Sequence, residues 1–251
     1  MSALLHWEDV VMLHQYTKGE IICKAYEALI KYDVNSLPVN VNFKKRVSLL
    51  SIQLLSKVQK INVNEYDADG KLVYQSEFQR YIVLYDNTSP PAEIRWLIAL
   101  VVAYIELYPD VKGDVELSRV NNSVVDFAYI FTAPDCILDA CSISSSEDIM
   151  KACCIPFYRA HEKSKRLKLR FDVPSTYCAN VAQVLTLDFS LFISKYKADN
   201  LKVISPALKL YQGAVKEMLL DVEPCSPEEC IQRMSVFYLL YILLFICFNL
   251  G

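Results

Sequence analysis

Apolar residues recur at intervals of three and four near the start of the chain. Between Lys18 and Tyr32 this spacing places them on one face, which predicts an amphipathic helix. The apolar positions are Ile21, Ile22, Ala25, Tyr26, Leu29 and Ile30. Residues 36–38 contain a proline that ends the pattern, and a mixed apolar pattern over residues 46–61 predicts a second helix.

A β-type pattern follows. The sequence Asp67-Ala68-Asp69-Gly70 is typical of a tight turn, and it separates a predicted strand near Val63–Tyr66 from another over Lys71–Tyr74. A further strand is predicted over Tyr81–Tyr85, which is rich in aromatic and β-branched residues. We therefore expect a small antiparallel sheet.

The most apolar segment before the C-terminal region comes next. Residues 87–91 (NTSPP) form a predicted loop, and a helix is expected to begin near Ala92. From Trp96 to Leu107 only Glu106 is polar, so this helix has no solvated face along most of its length. We expect it to lie buried at the centre of the domain, because its apolar part is too short to cross a bilayer.

Further helices are predicted downstream. One spans Asp114–Thr132 and is closed by Pro134. Two shorter ones span Ser144–Cys153, where Ser145 and Asp148 resemble a capping box, and Pro156–Lys168. Residues 171–227 have helical stretches without a recognisable pattern.

The order of these elements, together with several residues, resembles the ImmA/IrrE-type zinc metallopeptidases. Residues 86–104 read DNTSPPAEIRWLIALVVAY and keep the prolines, Arg95 and the aromatic Trp96 of the family's loop and central helix. Residues 123–134 read SVVDFAYIFTAP and keep Phe127, Ala128 and Pro134. The resemblance implies a zincin-like α+β fold, with a small antiparallel sheet packed on a buried central helix and a helical C-terminal region.

The residues that would hold zinc in that family are absent from the matching positions. The H-E-x-x-H motif falls on residues 100–104, where Leu100, Val101 and Tyr104 replace two histidines and the glutamate. The third ligand, a glutamate, is replaced by Ser123. Histidines four apart on a helix share one zinc ion and the glutamate takes a proton from the bound water, which these side chains cannot do. We therefore expect no metal, no cofactor and no peptidase activity.

What the resemblance implies for function is protein binding. The family cleaves helix-turn-helix repressors, often in mobile elements or stress responses. A form without metal would still bind such a repressor and affect transcription regulation, with Leu100, Val101, Tyr104 and Ser123 as the candidate binding positions. Two alternatives stay open, namely a membrane-associated interaction protein with a cytoplasmic head and an active peptidase of the family.

Composition narrows the partners. A formal net charge of −3 argues against a chain-wide nucleic-acid surface, so no direct nucleic-acid binding is expected. The basic run Lys163–Arg170 predicts either a solvated helix end or a local contact with phosphates or an acidic partner. Nine cysteines without a C-x-x-C motif are typical of buried thiols in an intracellular protein, and the N-terminus lacks a signal-peptide pattern, so we expect a cytoplasmic location.

The C-terminal region divides the chain further. Residues 1–17 form an N-terminal segment, 18–170 the ImmA/IrrE-like domain, 171–233 a helical region and 234–251 a hydrophobic helix. Residues 234–250 (MSVFYLLYILLFICFNL) are uncharged and span about 25 Å as a helix, slightly less than a hydrocarbon core of about 30 Å. A membrane anchor, a buried last helix, an association surface and an altered reading frame all remain open for this segment.

Overall fold

The protein has an α+β fold that is mostly helical. The computed structural model describes residues 16–41, 47–51, 70–169 and 175–200. The helices of these residues are α1 (Lys18–Lys31), α2 (Pro91–Leu107), α3 (Asn122–Thr132), α4 (Asp135–Cys141), α5 (Ser146–Cys153), α6 (Phe157–Lys168), α7 (Thr176–Asp188) and α8 (Ser190–Asn200). The strands are β1 (Val47–Ser51), β2 (Lys71–Gln75), β3 (Arg80–Tyr85) and β4 (Val115–Glu116). The predicted α+β class is confirmed.

The four strands form one sheet in the order β1-β3-β2-β4. Strand β2 pairs antiparallel with β3, in line with the expected antiparallel sheet, and also with β4, where no strand was predicted. Strand β1 pairs parallel with β3, beginning at Val47 opposite Tyr81. The predicted antiparallel arrangement is therefore confirmed for three strands and wrong for β1.

Two predicted helices are corrected. Residues 47–51 form β1 instead of part of a helix, because a short apolar run fits either element and pairing with β3 decides the outcome. The helix predicted over Asp114–Thr132 begins only at Asn122, since the Asn121 side chain accepts a hydrogen bond from the Val124 amide and caps it there. The rest of the 46–61 helix and the Val63–Tyr66 strand lie outside the described residues.

Helix α2 is the buried centre of the fold, as predicted. Pro91 occupies its first position, where a missing amide proton costs nothing. Nine of its residues are buried, and it packs against α3. On the sheet side, Gly70 has φ +90°, and a Cβ there would collide with the Leu97 side chain, so position 70 requires glycine. The sheet therefore approaches α2 closely at this point.

Arg95 of α2 ties distant segments together. Its Nε donates to the Val39 carbonyl at 3.3 Å, and its Nη1 donates to the Cys154 carbonyl at 3.0 Å. Cys154 follows the last residue of α5 and has a left-handed backbone. One guanidinium thus holds the segment after α1 and the end of α5 against the central helix.

Helices α4, α5 and α6 follow one another along the chain, and α5 packs against α6. Ser145 caps α5 by accepting from the Asp148 amide at 3.1 Å, which confirms the predicted start of that helix. Helix α4 lies in a segment where no helix was predicted. On α6, Lys163 is not solvated as the basic run suggested, because its ammonium is buried in an ion pair with Asp135. Arg166, three residues on, is exposed and pairs with Asp126 and Glu162.

Six of the nine cysteines lie in the described residues. Four of the six described cysteines are buried, and no disulfide links any of the six.

No single helix of the described residues is long and apolar enough to cross a membrane. Helices α7 and α8 meet the length and composition criteria only together, with a bend at their junction. One compact unit ends at Ser194 and a second begins at Lys195. Residues 201–251, including the hydrophobic segment 234–250, lie outside the described residues.

Candidate ligand-binding cleft

The structure places the four candidate positions on two neighbouring helices. Leu100, Val101 and Tyr104 lie on α2, and each is at least nine-tenths buried. Ser123 lies in the first turn of α3 and is half-buried. Tyr108 connects the two helices, because its ring lies 5.7 Å from that of Tyr104 and its hydroxyl accepts a hydrogen bond at 2.8 Å from Asn121, the N-cap of α3. Leu100 also lines a cleft between described residues.

A cluster of tyrosines fills the space beside the candidate positions. The Tyr81 hydroxyl donates to the Val111 carbonyl at 2.7 Å, and the Tyr16 hydroxyl donates to the Leu107 carbonyl at 2.6 Å. The Tyr104 hydroxyl is buried and has no hydrogen-bond partner among the described residues. Burial raises the pKa of Tyr104 to about 12, and Tyr81 and Tyr108 add to this. Burial also raises the pKa of Tyr81 to about 12.

This cluster predicts a loss of stability in alkaline solution. A buried phenol holds its proton more tightly in the folded chain than in the unfolded one, so its contribution is complete below pH 10.0 and is lost as the pH rises to about 12. We expect the free energy of unfolding, measured by urea denaturation, to fall across this window. The fall should be smaller in Tyr104→Phe.

At neutral pH, replacing Tyr104 or Tyr81 by phenylalanine should have different effects on stability. Tyr104→Phe should leave stability unchanged or raise it by about 1 kcal/mol, because the hydroxyl it removes is unpaired. Tyr81→Phe should lower stability by about 1 kcal/mol, because it removes the bond to the Val111 carbonyl. Equal losses in the two variants would contradict this assignment.

The cleft that Leu100 lines has a volume of about 400 Å³. Its walls come from α2, the loop between β3 and α2, the segment before α3, α3 itself and the start of α6. The residues that carry its chemistry are Asp86, Glu93, Trp96, Ser118, Tyr158 and Arg159. Aromatic, apolar and charged groups thus surround one opening, as is usual for a ligand site.

Arg159 is the cation of the cleft. Its guanidinium lies over the Trp96 ring at 4.5 Å and over the Tyr158 ring at 4.9 Å, and Nη1 donates to the Tyr129 hydroxyl at 3.3 Å. Burial acts to lower the pKa of Arg159, but hydrogen bonds to the two tyrosines outweigh this and raise the pKa. The side chain is therefore a permanent positive charge held in an aromatic environment.

Two carboxylates share the cleft, and each has hydrogen-bond donors of its own. Asp86 accepts from the Thr88 amide at 2.8 Å and from its hydroxyl at 2.7 Å, and these bonds lower the pKa of Asp86. Glu93 accepts from the Tyr158 hydroxyl at 3.1 Å, which connects α2 with α6. The two acidic groups are thus oriented by neighbours other than Arg159.

A second, smaller cavity of about 270 Å³ lies beside the other face of α2. It is lined mainly by apolar residues around Ile98 and Arg95. The Nε and Nη1 atoms of Arg95 both donate to backbone carbonyls. Arg95 therefore has a structural role beside this cavity. We therefore take the cleft at Leu100 as the candidate site.

The described residues contain no group of three or more His, Cys, Asp or Glu side chains able to hold a metal ion. The Nδ1 atom of His161 is 3.3 Å from the Ser146 hydroxyl, and its ring stacks on Phe157. The arrangement of the cleft supports binding chemistry through charge, hydrogen bonds and aromatic surface.

Sequence reasoning missed Tyr158 and Arg159. The signal available was their place directly after Pro156, where an aromatic pair and an arginine open a helix that is otherwise strongly polar. Phe157 and Tyr158 are both more than half exposed, which is unusual for such large rings. The sequence predicts Trp96 only as part of the resemblance and not as a site residue.

Comparison of the chain with protein-family models, with curated proteins and with solved structures finds no significant match.

Proposed function

We propose that this chain is a non-catalytic protein of the ImmA/IrrE type, with a zincin-like arrangement, and that it acts by binding a helix-turn-helix repressor. The observation that carries the proposal is the cleft beside Leu100. It lies at the position that the resemblance assigns to the first lost histidine, and it is lined by Trp96, Tyr158 and Arg159. Tryptophan, tyrosine and arginine are the residues that most often dominate protein–protein binding energy.

The arrangement around α2 supports the non-catalytic part of the proposal. Val101 and Tyr104, which stand where the family has its glutamate and second histidine, are buried by apolar and aromatic neighbours. Side chains of this kind fill the interior without unpaired charge, which suits a domain kept for its shape. The rim of the cleft carries exposed aromatic surface at Tyr158, suitable for contact with another protein.

The test combines affinity purification with metal analysis. We expect the full chain, expressed in its native host, to recover a helix-turn-helix regulator. Tyr158→Ala should lose this partner, because it removes an exposed ring from the rim of the cleft. Phe78→Ala is the matched control, since Phe78 is also an exposed ring but lies after β2, away from the cleft.

Two results would contradict the proposal. Recovery of no regulator, or equal recovery with Tyr158→Ala and Phe78→Ala, would show that the cleft does not bind the partner. One zinc per chain in elemental analysis of the purified protein would contradict the non-catalytic assignment, because it would require a metal site outside the positions compared.

A further inference from the structure

Two residues that line the cleft each carry a buried hydrogen-bond donor with no partner among the described residues. The donors are Nε1 of Trp96, whose side chain is 4% exposed, and Nε of Arg159. Both side chains line the cleft, and the guanidinium is stacked on the indole at 4.5 Å. An N–H group left unpaired in a protein interior is costly, and each of these can only donate. The complement to this pair is therefore an acceptor group.

The charge of Arg159 specifies the acceptor further. No ion pair within the described part of the chain involves Arg159, whereas nearby Arg166 pairs with two carboxylates. Asp86 and Glu93 share the cleft but take hydrogen bonds from Thr88 and Tyr158. A half-buried cation without an ion pair favours an anionic acceptor, and a planar guanidinium suits a carboxylate.

The start of α6 adds to this preference. Tyr158 and Arg159 lie in its first turn, and Pro156 at its N-cap offers no side-chain hydrogen bond to the free amides of that turn. The N-terminal end of a twelve-residue helix carries a partial positive charge that stabilises an anion. Asp86 and Glu93 oppose a highly charged ligand, so a single carboxylate fits better than a polyanion.

We propose that Arg159, backed by Trp96, binds one carboxylate of the protein partner, supplied either by an acidic side chain or by a chain terminus. This inference rests on the proposed function and assigns the chemical group that the cleft recognises. Arg159 holds the carboxylate through charge-assisted hydrogen bonds, and the aromatic rings of Trp96 and Tyr158 fix the orientation of the guanidinium.

The indole group of Trp96 offers a direct readout. The chain has two tryptophans, at positions 7 and 96, so an indole NMR spectrum of the full chain contains two N–H signals. Trp96→Phe assigns them. We expect blocked glutamate (N-acetyl, C-amide) to shift the Trp96 signal in a saturable way. Its carboxylate would bind the Arg159 guanidinium, and this would change the electrostatic environment of the indole ring beneath it. Blocked glutamine, which has the same shape without the charge, should cause no saturable shift.

Two further probes distinguish the sources of the carboxylate. One is a short alanine peptide with blocked ends and an internal glutamate, and the other is an alanine peptide with a free C-terminus. Tighter binding of the first assigns an acidic side chain, and tighter binding of the second assigns a chain terminus. Either result supports carboxylate recognition, whereas no saturable shift with any carboxylate probe overturns it.

Variants of Arg159 complete the test. Arg159→Gln should weaken binding of the better probe by about tenfold or more, because it removes the charge. Arg159→Lys keeps the charge but not the planar fork, and we expect an intermediate loss. Unchanged affinity in both variants would also overturn the proposal. If no probe binds but recovery of the regulator still depends on Tyr158, only the carboxylate assignment is wrong. If recovery of the regulator does not depend on Tyr158, the proposed function itself is contradicted.

Discussion

Lys163→Met is expected to lower the free energy of unfolding by about 3–5 kcal/mol, the cost of removing one partner from a buried ion pair. The Lys163 side chain is 3% exposed and its ammonium pairs with Asp135, whose side chain is 11% exposed. Methionine fills a similar volume but leaves the Asp135 carboxylate without this cation. Urea denaturation followed by circular dichroism measures the loss.

Lys165→Met is the matched control for this experiment. Lys165 lies on the same helix and is exposed, so the same substitution should change stability by no more than about 0.5 kcal/mol. Adding Asp135→Leu to Lys163→Met should recover most of the loss, because it replaces the whole ion pair by apolar groups. Similar effects of Lys163→Met and Lys165→Met would show that the ion pair is not buried in solution.

Val101→Glu restores the residue that the family resemblance assigns to this position, and we expect it to cost about 3–5 kcal/mol, as for an uncompensated buried charge. Val101 is 0% exposed. A carboxyl group enclosed at this fully buried position must either lose its charge or disrupt the packing of α2. The midpoint of urea unfolding at neutral pH should fall accordingly.

Val101→Met tests whether charge or size causes this effect. It adds volume without charge, and overpacking of a filled core costs about 1–3 kcal/mol. The difference in unfolding free energy between Val101→Glu and Val101→Met measures how fully water is excluded from position 101. If Val101→Glu is no worse than Val101→Met, water reaches this part of α2 in solution.

Regular patterns made much of the fold predictable. Helices α1 and α2 follow from spacing and from an unbroken apolar run, and α5 follows from the cap at Ser145. Strand β1 was not predictable, since five residues fit a helix or a strand and the parallel partner lies far away in the chain. The start of α3 was missed because the apolar spacing continues upstream of Asn121, while the cap at that residue decides where the helix begins.

The candidate site was less predictable than the fold. Leu100 became a candidate only because the proposed resemblance aligns it with a zinc ligand of the ImmA/IrrE-type peptidases. Arg159 and Trp96 are brought together by packing of α6 against α2, and their separation along the chain hides this contact. The ion pair of Lys163 with Asp135 was hidden in the same way, because the basic run around Lys163 is typical of a solvated surface.

The bonds of Arg95 have a consequence for how this sequence can diverge. Its guanidinium contacts the main-chain oxygens of residues 39 and 154, and every amino acid supplies that atom. The two bonds therefore place no demand on which side chains stand at those positions. Substitution at those positions is limited instead by the burial of Val39 and by the left-handed backbone of Cys154, and not by the contact with Arg95.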